Sequence, residues 1–427
     1  MTKIEWTHPQ NFKGDVWNPV VGCTHHGAGC KHCYADELHT KRHKAFVKHG
    51  GVNPKGGKPM ARQYAHPFEK VQLLPERLDA PLRRRKPTCY FVNSVSDLFH
   101  KDVPFEFIAA VYGVMAACPQ HRFIVLTKRP ERMLEFMQWA AREDQVGEGV
   151  NAAVTEMFGH AGPREYLLRD YPDDVEDAEF SGHISDELVC NPPEWPLANV
   201  ITGASIANQA DADRIIPVLL QVPSACRAIS LEPMIGPVTL PPDCFAHFVS
   251  NETLGRNSAL IQRESRVPGY SEMPDWIKWV IVGGESGPNA RPSDVAWIRS
   301  IVQQCKAAGV PCFVKQVGSK PRGHAQWEHE DNEGYGVDPE LSRLIDRKGG
   351  DPDEWPEDIR VRQYPPALTG ENAPYPVAVT IECPECENTC EATKHFYEGD
   401  PFASLGHTCE HCGYEIMESE WNEVNHA

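Results

Sequence analysis

The sequence predicts an α/β fold, a complete or partial TIM-like barrel followed by a small C-terminal zinc ribbon. Three observations lead there. Short apolar runs bounded by polar and turn-forming residues recur up to about residue 320, helix-patterned segments separate them, and the tail carries two CxxC pairs. Apolar runs of this length, flanked by turn formers, read as parallel strands buried on both faces.

The runs, in order, are VWNPVVG before Cys23, CYFVNSVSD (89–97), HRFIVLTKRP (121–130) and NVITGASI (199–206), then ACRAISLEP (225–233), WVIVGGESG (279–287) and PCFVKQVG (311–318). Between them, helices are expected over Pro104–Ala117, from Pro130 to about Arg142, over 209–221 and over 294–308. Proline suits a first turn, as at Pro130, and glycine suits a C-terminal cap, as at Gly309. Strands alternating with helices argue for an α/β barrel. A doubly wound open sheet is the other topology the pattern allows, because closure is not written in the sequence.

Three stretches interrupt the alternation: a Gly/Pro/basic segment over 36–88, an acidic one over 143–198 that includes Asp170, Asp173 and Asp174, and an irregular one over 241–275. Such excursions suit loops at a barrel mouth. The Pro-rich text PPALTGENAPYPV reads as a linker, so the expected organisation is a barrel domain over 1–364, a linker over 365–378 and a ribbon over 379–427.

The net charge of −18, from 60 acids against 42 bases, excludes a general electrostatic coat for nucleic acid. Locally the balance inverts: Lys41, Arg42, Lys44, Lys48, Lys55, Lys58 and Arg62 follow one another without an acid, and Arg83, Arg84, Arg85 and Lys86 come next. A solvated loop and a phosphate-contacting surface are both open readings of this segment. No apolar run approaches the length of a membrane span, and the opening MTKIEWTHPQNF has no secretory core, so the expected location is the cytoplasm, with no membrane partner.

A chain of this length with fifteen cysteines is not a small disulfide scaffold. Cys89, Cys118, Cys226, Cys244 and Cys312 lie in or beside apolar segments and read as core residues. Cys383-Pro-Glu-Cys386 and Cys409-Glu-His-Cys412, with 22 residues between the pairs, present four thiolates to one tetrahedral ion. A tail with so few large apolar residues needs that Zn²⁺ to fold.

Cys23, Cys30 and Cys33 lie in a Gly-containing loop after the first run. Three thiolates need help to complete a zinc site, which His25, His26 or His32 would supply. Alternatively they hold a [4Fe–4S] cluster with one iron open to a non-protein ligand such as S-adenosylmethionine (SAM). Spacing alone does not choose.

Several segments resemble the phage Gp37/Gp68-like proteins, an uncharacterised group with a radical-SAM-like cysteine motif: WNPVVGCTHHGAGCKHCYA (17–35), FVNSVSDLFHKDVPFEF (91–107), FIVLTKRPERM (123–133), SLEPMIGPV (230–238), WVIVGGESGPNARP (279–292) and GVPCFVKQVG (309–318). The resemblance implies a SAM-dependent iron–sulfur enzyme on a TIM-like barrel, forming a 5′-deoxyadenosyl radical and fed by an external electron donor. Together with the basic 41–62 segment, the phage-like kinship points to a nucleobase, nucleotide or nucleic acid as substrate and, for a phage-encoded chain, to the host cytoplasm as location. The cysteine spacing departs from the commonest radical-SAM motif, CxxxCxxC: six residues separate Cys23 from Cys30, and the aromatic Tyr34 follows the last cysteine instead of preceding it. The ribbon lies outside the resemblance.

In such a barrel, polar residues at strand C-termini face the cofactor. The candidates for cofactor binding are Ser94, Asp97, Lys128, Ser205, Glu232, Gly283, Gly284 and Glu285. Gly283-Gly284-Glu285 resembles the GGE stretch that contacts the SAM amino group in radical-SAM enzymes, displaced here from the second strand to the sixth. No catalytic residue stands out. P-loop, nucleophile-elbow and HExxH motifs are missing, so ATPase, serine hydrolase and zincin chemistries have no support. The competing function is a non-catalytic zinc protein that binds nucleic acid or protein, which predicts zinc and no iron.

Overall fold

The computed structural model describes Thr2 and residues 4–140, 196–245, 276–323 and 344–369, together with parts of 377–423. The acidic segment and most of 241–275 lie outside these. The chain divides into two compact units, Met1–Leu368 and Thr369–Ala427.

The first unit is built on seven parallel strands: β1 (Lys13–Trp17), β2 (Thr88–Val92), β3 (Arg122–Thr127), β4 (Val200–Ser205), β5 (Cys226–Leu231), β6 (Ile277–Gly283) and β7 (Cys312–Gln316). They lie side by side in chain order, each hydrogen-bonded in parallel to the next. A doubly wound sheet reverses its strand order part-way; this one does not, and that alternative falls. Helices α2 (Phe105–Ala116), α3 (Pro130–Ala140), α4 (Gln209–Leu219) and α5 (Val295–Ala308) fall between or after strands as the patterning predicts. Asn208 and Asp294 cap α4 and α5, and Gly309 ends α5 in the left-handed region.

Both faces of the sheet are buried. Tyr90, Val92, Phe123, Val125, Val280 and Val282 share one core with the buried residues of the helices. The alternate positions Cys89, Ile124, Ile201, Ala228, Trp279, Ile281 and Phe313 form a second core with Trp6 and Leu368. Two-sided burial is why these strands read as unbroken apolar runs.

The sheet curls. Strands β2 and β6 are four positions apart, about 19 Å in a flat sheet. Yet the Trp6 indole meets Phe91 of β2 at 4.7 Å and Trp279 of β6 at 6.3 Å between ring centroids. The result is a seven-stranded half-barrel. The outer edge of β7 is taken up by residues 361–363, where Val314 N–H donates to Val361 O (2.8 Å) and Gln363 N–H to Cys312 O (2.8 Å). Tyr364 then donates to Glu5 O at 3.2 Å, so this segment and the N-terminal turn, rather than an eighth strand, cover that edge.

Three sequence expectations change. The first run places its strand a few residues late: Lys13–Trp17 joins the main sheet, whereas Val20–Val21 pairs with Gln72–Leu73 in a separate two-stranded ribbon. The segment 36–88 is not all loop, because helix α1 (Tyr34–Lys48) begins immediately after Cys33; with only Ala35 and His39 buried it has no apolar stripe to mark it. The expected linker starts too early, since Pro366–Thr369 forms a short helix (α6) whose Leu368 is buried in the first unit.

In the second unit, β8 (Val377–Glu382) pairs antiparallel with β9 (Thr389–Lys394) and with β12 (Asn422–Glu423), and β10 (Gly406–Thr408) pairs with β11 (Glu415–Met417).

Candidate functional site

The C-terminal ends of the strands open into a cavity of about 570 Å³. Trp6, Phe91 and Leu126 give it an apolar wall, and Cys23, Cys30 and Cys33 all line it. Of the residues expected from sequence, Ser94, Asp97, Lys128, Ser205, Glu232, Gly284 and Glu285 also line it. Gly283 stands behind this wall: a Cβ there would lie 3.1 Å from Glu232 Oε1, so the glycine makes room for that carboxylate.

The cysteine loop is threaded between two fixed segments. Gly22 has φ +91°, and a Cβ on it would sit 2.5 Å from Lys70 O and 2.8 Å from Phe68 O; only glycine passes there. Cys23 N–H donates to Phe68 O (3.0 Å), and on the other side Ser96 Oγ donates to Val20 O (2.8 Å). Asn18 Oδ1 accepts from Ser94 Oγ (3.1 Å) and Val95 N–H (3.2 Å). Cys30 closes a short 3₁₀ turn, and Cys33 occupies the N-cap of α1, where the unpaired N–H groups of a first turn favour a thiolate.

Two arginine–carboxylate pairs then clamp the loop. Asp97 Oδ1 accepts from Thr127 Oγ1 (2.7 Å) and Phe99 N–H (3.0 Å), and Oδ2 from Arg129 Nη1 (2.8 Å) and Lys128 N–H (3.2 Å). Arg129 carries this hold to the loop through Thr24 O (2.8 Å) and Cys23 Sγ (3.6 Å). Glu285 is gripped by Arg291 through Nε (2.9 Å), Nη2 (2.8 Å) and the backbone N–H (2.7 Å), while Nη1 donates to Ala28 O at 2.9 Å. Both acids, expected at the cofactor, line the cavity, and their oxygens brace the loop through these arginines. Arg291 is the residue the sequence reading missed, and a Glu and an Arg six residues apart in a Gly/Pro loop was the available signal.

Titration behaviour follows burial. Desolvation, reinforced by Asp97 and opposed by Arg129, pushes the Cys23 thiol up to about 11, and desolvation also raises Cys33. Both thiols are therefore protonated at neutral pH, and their ionisation would need a bound cation. Burial would raise the Glu285 carboxyl, but the hydrogen bonds and charge of Arg291 outweigh it and hold it below its ordinary value. His100, fully buried, is pushed down by desolvation. Its Nδ1 accepts from Asp102 N–H (3.2 Å), which leaves Nε2–H to donate to Thr24 Oγ1 (2.8 Å).

The remaining cavity groups are less committed. Glu232 Oε1 is buried and lies 2.9 Å from Lys315 Nζ; Glu232 Oε2 accepts from Ser230 Oγ at 3.4 Å. Lys128 contributes its backbone N–H to Asp97, and its side-chain methylene lies 3.6 Å from the Cβ position of Gly29 in the cysteine loop. Gly284 serves packing: a Cβ there would strike Val317 O at 2.3 Å, and its carbonyl accepts from Gln316 Nε2 at 2.8 Å. Tyr34 caps the rim, its hydroxyl donating to Ser94 O.

In the second unit, Cys383, Cys386, Cys409 and Cys412 bring their thiols within 4.8 Å of one another and could hold a metal ion. Cys383 Sγ lies 3.7 Å from Cys412 Sγ, and Cys386 Sγ 3.6 Å from Cys409 Sγ. A tetrahedral ion with metal–sulfur bonds of about 2.3 Å needs thiolates about 3.8 Å apart. Each CxxC turn is closed by a backbone bond, Cys383 N–H to Asn388 O (2.9 Å) and Cys409 N–H to Tyr414 O (2.8 Å). Among the described residues this is the group of thiols close enough to share a single ion.

No curated protein and no solved structure matches the chain. A family model described as "Protein of unknown function (DUF5131)" matches residues 1–346, the half-barrel with its cysteine loop. The chain belongs to the DUF5131 family.

Proposed function

We propose that this protein is a radical SAM enzyme, with Cys23, Cys30 and Cys33 holding a [4Fe–4S] cluster at the mouth of the half-barrel and Cys383, Cys386, Cys409 and Cys412 holding a separate zinc ion. The observation that carries the reading is the position of the three thiols. They line a 570 Å³ cavity at the strand C-termini, the end where barrel enzymes place their chemistry. The residues fit such a group. The thiols are soft donors, Asp97 and Glu285 are bound to arginines, and three ligands leave one iron for SAM. Thiols spread along a cavity wall suit a multi-iron cluster better than a single ion. The likeness of the cysteine loop and strand ends to the phage Gp37/Gp68-like proteins belongs to the same reading.

When bound and reduced, the cluster with SAM supplies a one-electron cleavage that yields a 5′-deoxyadenosyl radical; the electron comes from an external donor. The chain's own residues do the rest. Arg129 and Arg291 fix the loop that carries the thiols. Glu232, paired with Lys315 and hydrogen-bonded by Ser230, offers a carboxylate for the amino group of SAM, and Lys128 and Ser205 offer polar contacts on the same wall. Trp6, Phe91 and Leu126 exclude water from the inner end and protect a reactive species from quenching.

Metal analysis after anaerobic reconstitution with iron and sulfide tests the reading. The wild type is expected to be brown and to carry about four irons and one zinc per chain. Cys30→Ala is expected to lose the iron and keep the zinc. Two zinc ions and no iron would instead identify a zinc-stabilised binding protein.

A further inference from the structure

The stretch from α1 to Phe68 starts and finishes at the cavity. Tyr34, its first residue, and Phe68, its last, both line the cavity wall, and Phe68 O also receives Cys23 N–H. Between Glu37 and Glu69 the chain has no acidic residue. Lys41, Arg42, Lys44 and Lys48 on α1 are exposed, as are Lys55, Lys58 and Arg62 beyond it. Among the described residues none of these seven forms an ion pair with a carboxylate. Elsewhere on the surface basic groups commonly do: Arg83 with Asp79, Lys101 with Asp102, Arg214 with Glu131 and Arg299 with Asp358. In a chain of net charge −18, an unpaired cationic surface is maintained against the overall balance.

The surface is not only charged. Tyr34 is 57% exposed, Leu38 39%, Val47 65% and Val52 45%, which are four of the six large hydrophobic side chains left exposed among the described residues. Arg42 lies over the Tyr64 ring, 5.2 Å from its centroid, and donates to its hydroxyl. Cations interleaved with apolar and aromatic side chains suit a chain of phosphates bearing bases. A free small anion would need far less surface.

We infer that residues 34–68 form the docking surface for a nucleic acid strand, which is the substrate of the adjoining site. The phosphate backbone lies along α1 and the 55–62 loop, and one unpaired nucleotide enters the cavity past Tyr34. A cavity of about 570 Å³ accommodates a nucleoside beside a cofactor's reactive end but not a base pair with its flanking strands. The substrate part of this inference rests on the radical-SAM reading; the docking part is read without it.

The test is fluorescence anisotropy of the full-length protein with end-labelled single-stranded RNA, single-stranded DNA and duplex DNA, between about 50 and 200 mM salt. One of the single strands is expected to bind more tightly than the duplex, with log K falling against log salt at a slope of about −3 to −6. The variant Lys41→Glu/Lys44→Glu/Lys48→Glu is expected to bind at least tenfold more weakly, with a slope smaller by about 2 to 3. Arg85→Glu/Lys86→Glu, at exposed positions outside the surface, controls for net charge and is expected to bind within about twofold of wild type. Circular dichroism verifies that the variants fold. Equal loss in both variants, no loss in the first, or binding to anionic phosphatidylserine vesicles in place of every oligonucleotide would overturn the docking surface. Iron content separates the two ideas. Salt-dependent binding by protein that never takes up iron would leave the docking surface standing and remove its role as the feeder of a radical site. Iron-loaded protein that binds no strand would do the reverse.

Discussion

Asp97→Asn is the sharpest perturbation of the cysteine loop. The wild-type carboxylate is 5% exposed and accepts four hydrogen bonds, from Thr127, Phe99, Lys128 and Arg129. The amide keeps the volume. It replaces Oδ2 with a donor facing the Lys128 N–H and the Arg129 guanidinium, or flips and sets the same conflict against Thr127 and Phe99. In either orientation Arg129, whose side chain is 12% exposed, loses its counter-charge. Removing one partner of a buried ion pair costs about 3–5 kcal/mol, a 100-fold or greater shift in the folding equilibrium at about 1.4 kcal/mol per factor of ten. The assay is urea unfolding of the first unit, followed by near-ultraviolet circular dichroism from the buried Trp6, Trp17, Trp279 and Trp355. A lower midpoint at unchanged slope is expected. The double variant Asp97→Asn/Arg129→Met is expected to recover at least about 1 kcal/mol, because the stranded charge is gone. A loss below about 1 kcal/mol in Asp97→Asn, or strict additivity in the cycle, would refute the clamp.

Other outcomes follow from the same geometry. The Glu285 carboxyl is held below its ordinary 4.5 by Arg291, so its stabilisation is present above that pH and is lost as pH falls through the lower folded-state value. Glu285→Gln is therefore expected to be less stable than wild type at pH 7, with the difference in urea midpoint shrinking in acid; a difference that grows toward low pH contradicts the pairing. Gly284→Ala places a methyl 2.3 Å from Val317 O and is expected to cost about 1–3 kcal/mol of first-unit stability, measured by the same unfolding assay. Arg129→Gln removes the donor to Cys23 Sγ. If Cys23 ligates the proposed cluster, hydrogen bonds to its sulfurs raise the potential, and the variant's midpoint in a redox titration is expected to fall. With a metal held by the four ribbon cysteines as proposed, its chelation, or Cys386→Ser, is expected to unfold β8–β12 and leave the near-ultraviolet signal of the first unit intact.

Much of the fold was legible because the physics is local and repetitive. Strands buried on both faces must be apolar at consecutive positions, and six such runs marked β2 to β7, while the first run overlapped β1 only at Val16 and Trp17. Pro130 in a first turn and Gly309 as a C-terminal cap placed helix ends. Curvature was not legible, because it depends on Trp6 meeting Phe91 and Trp279 across 85 and 273 residues of sequence. Helix α1 was hidden because only Ala35 and His39 are buried on it, so no apolar stripe advertised it. At the site, strand-end position identified the residues that line the cavity but not what each one does. A carboxylate at a strand end serves equally as a ligand contact or as a brace. The partner that decides, Arg129 for Asp97 or Arg291 for Glu285, is revealed only by the folded loop.

Whether the three N-terminal thiols hold a SAM-binding cluster, as proposed, is decided by low-temperature EPR of anaerobically reconstituted, dithionite-reduced protein, recorded with and without SAM. A [4Fe–4S]⁺ signal that changes when SAM is added and vanishes in Cys30→Ala is expected. An EPR-silent sample containing zinc and no iron would contradict the proposal.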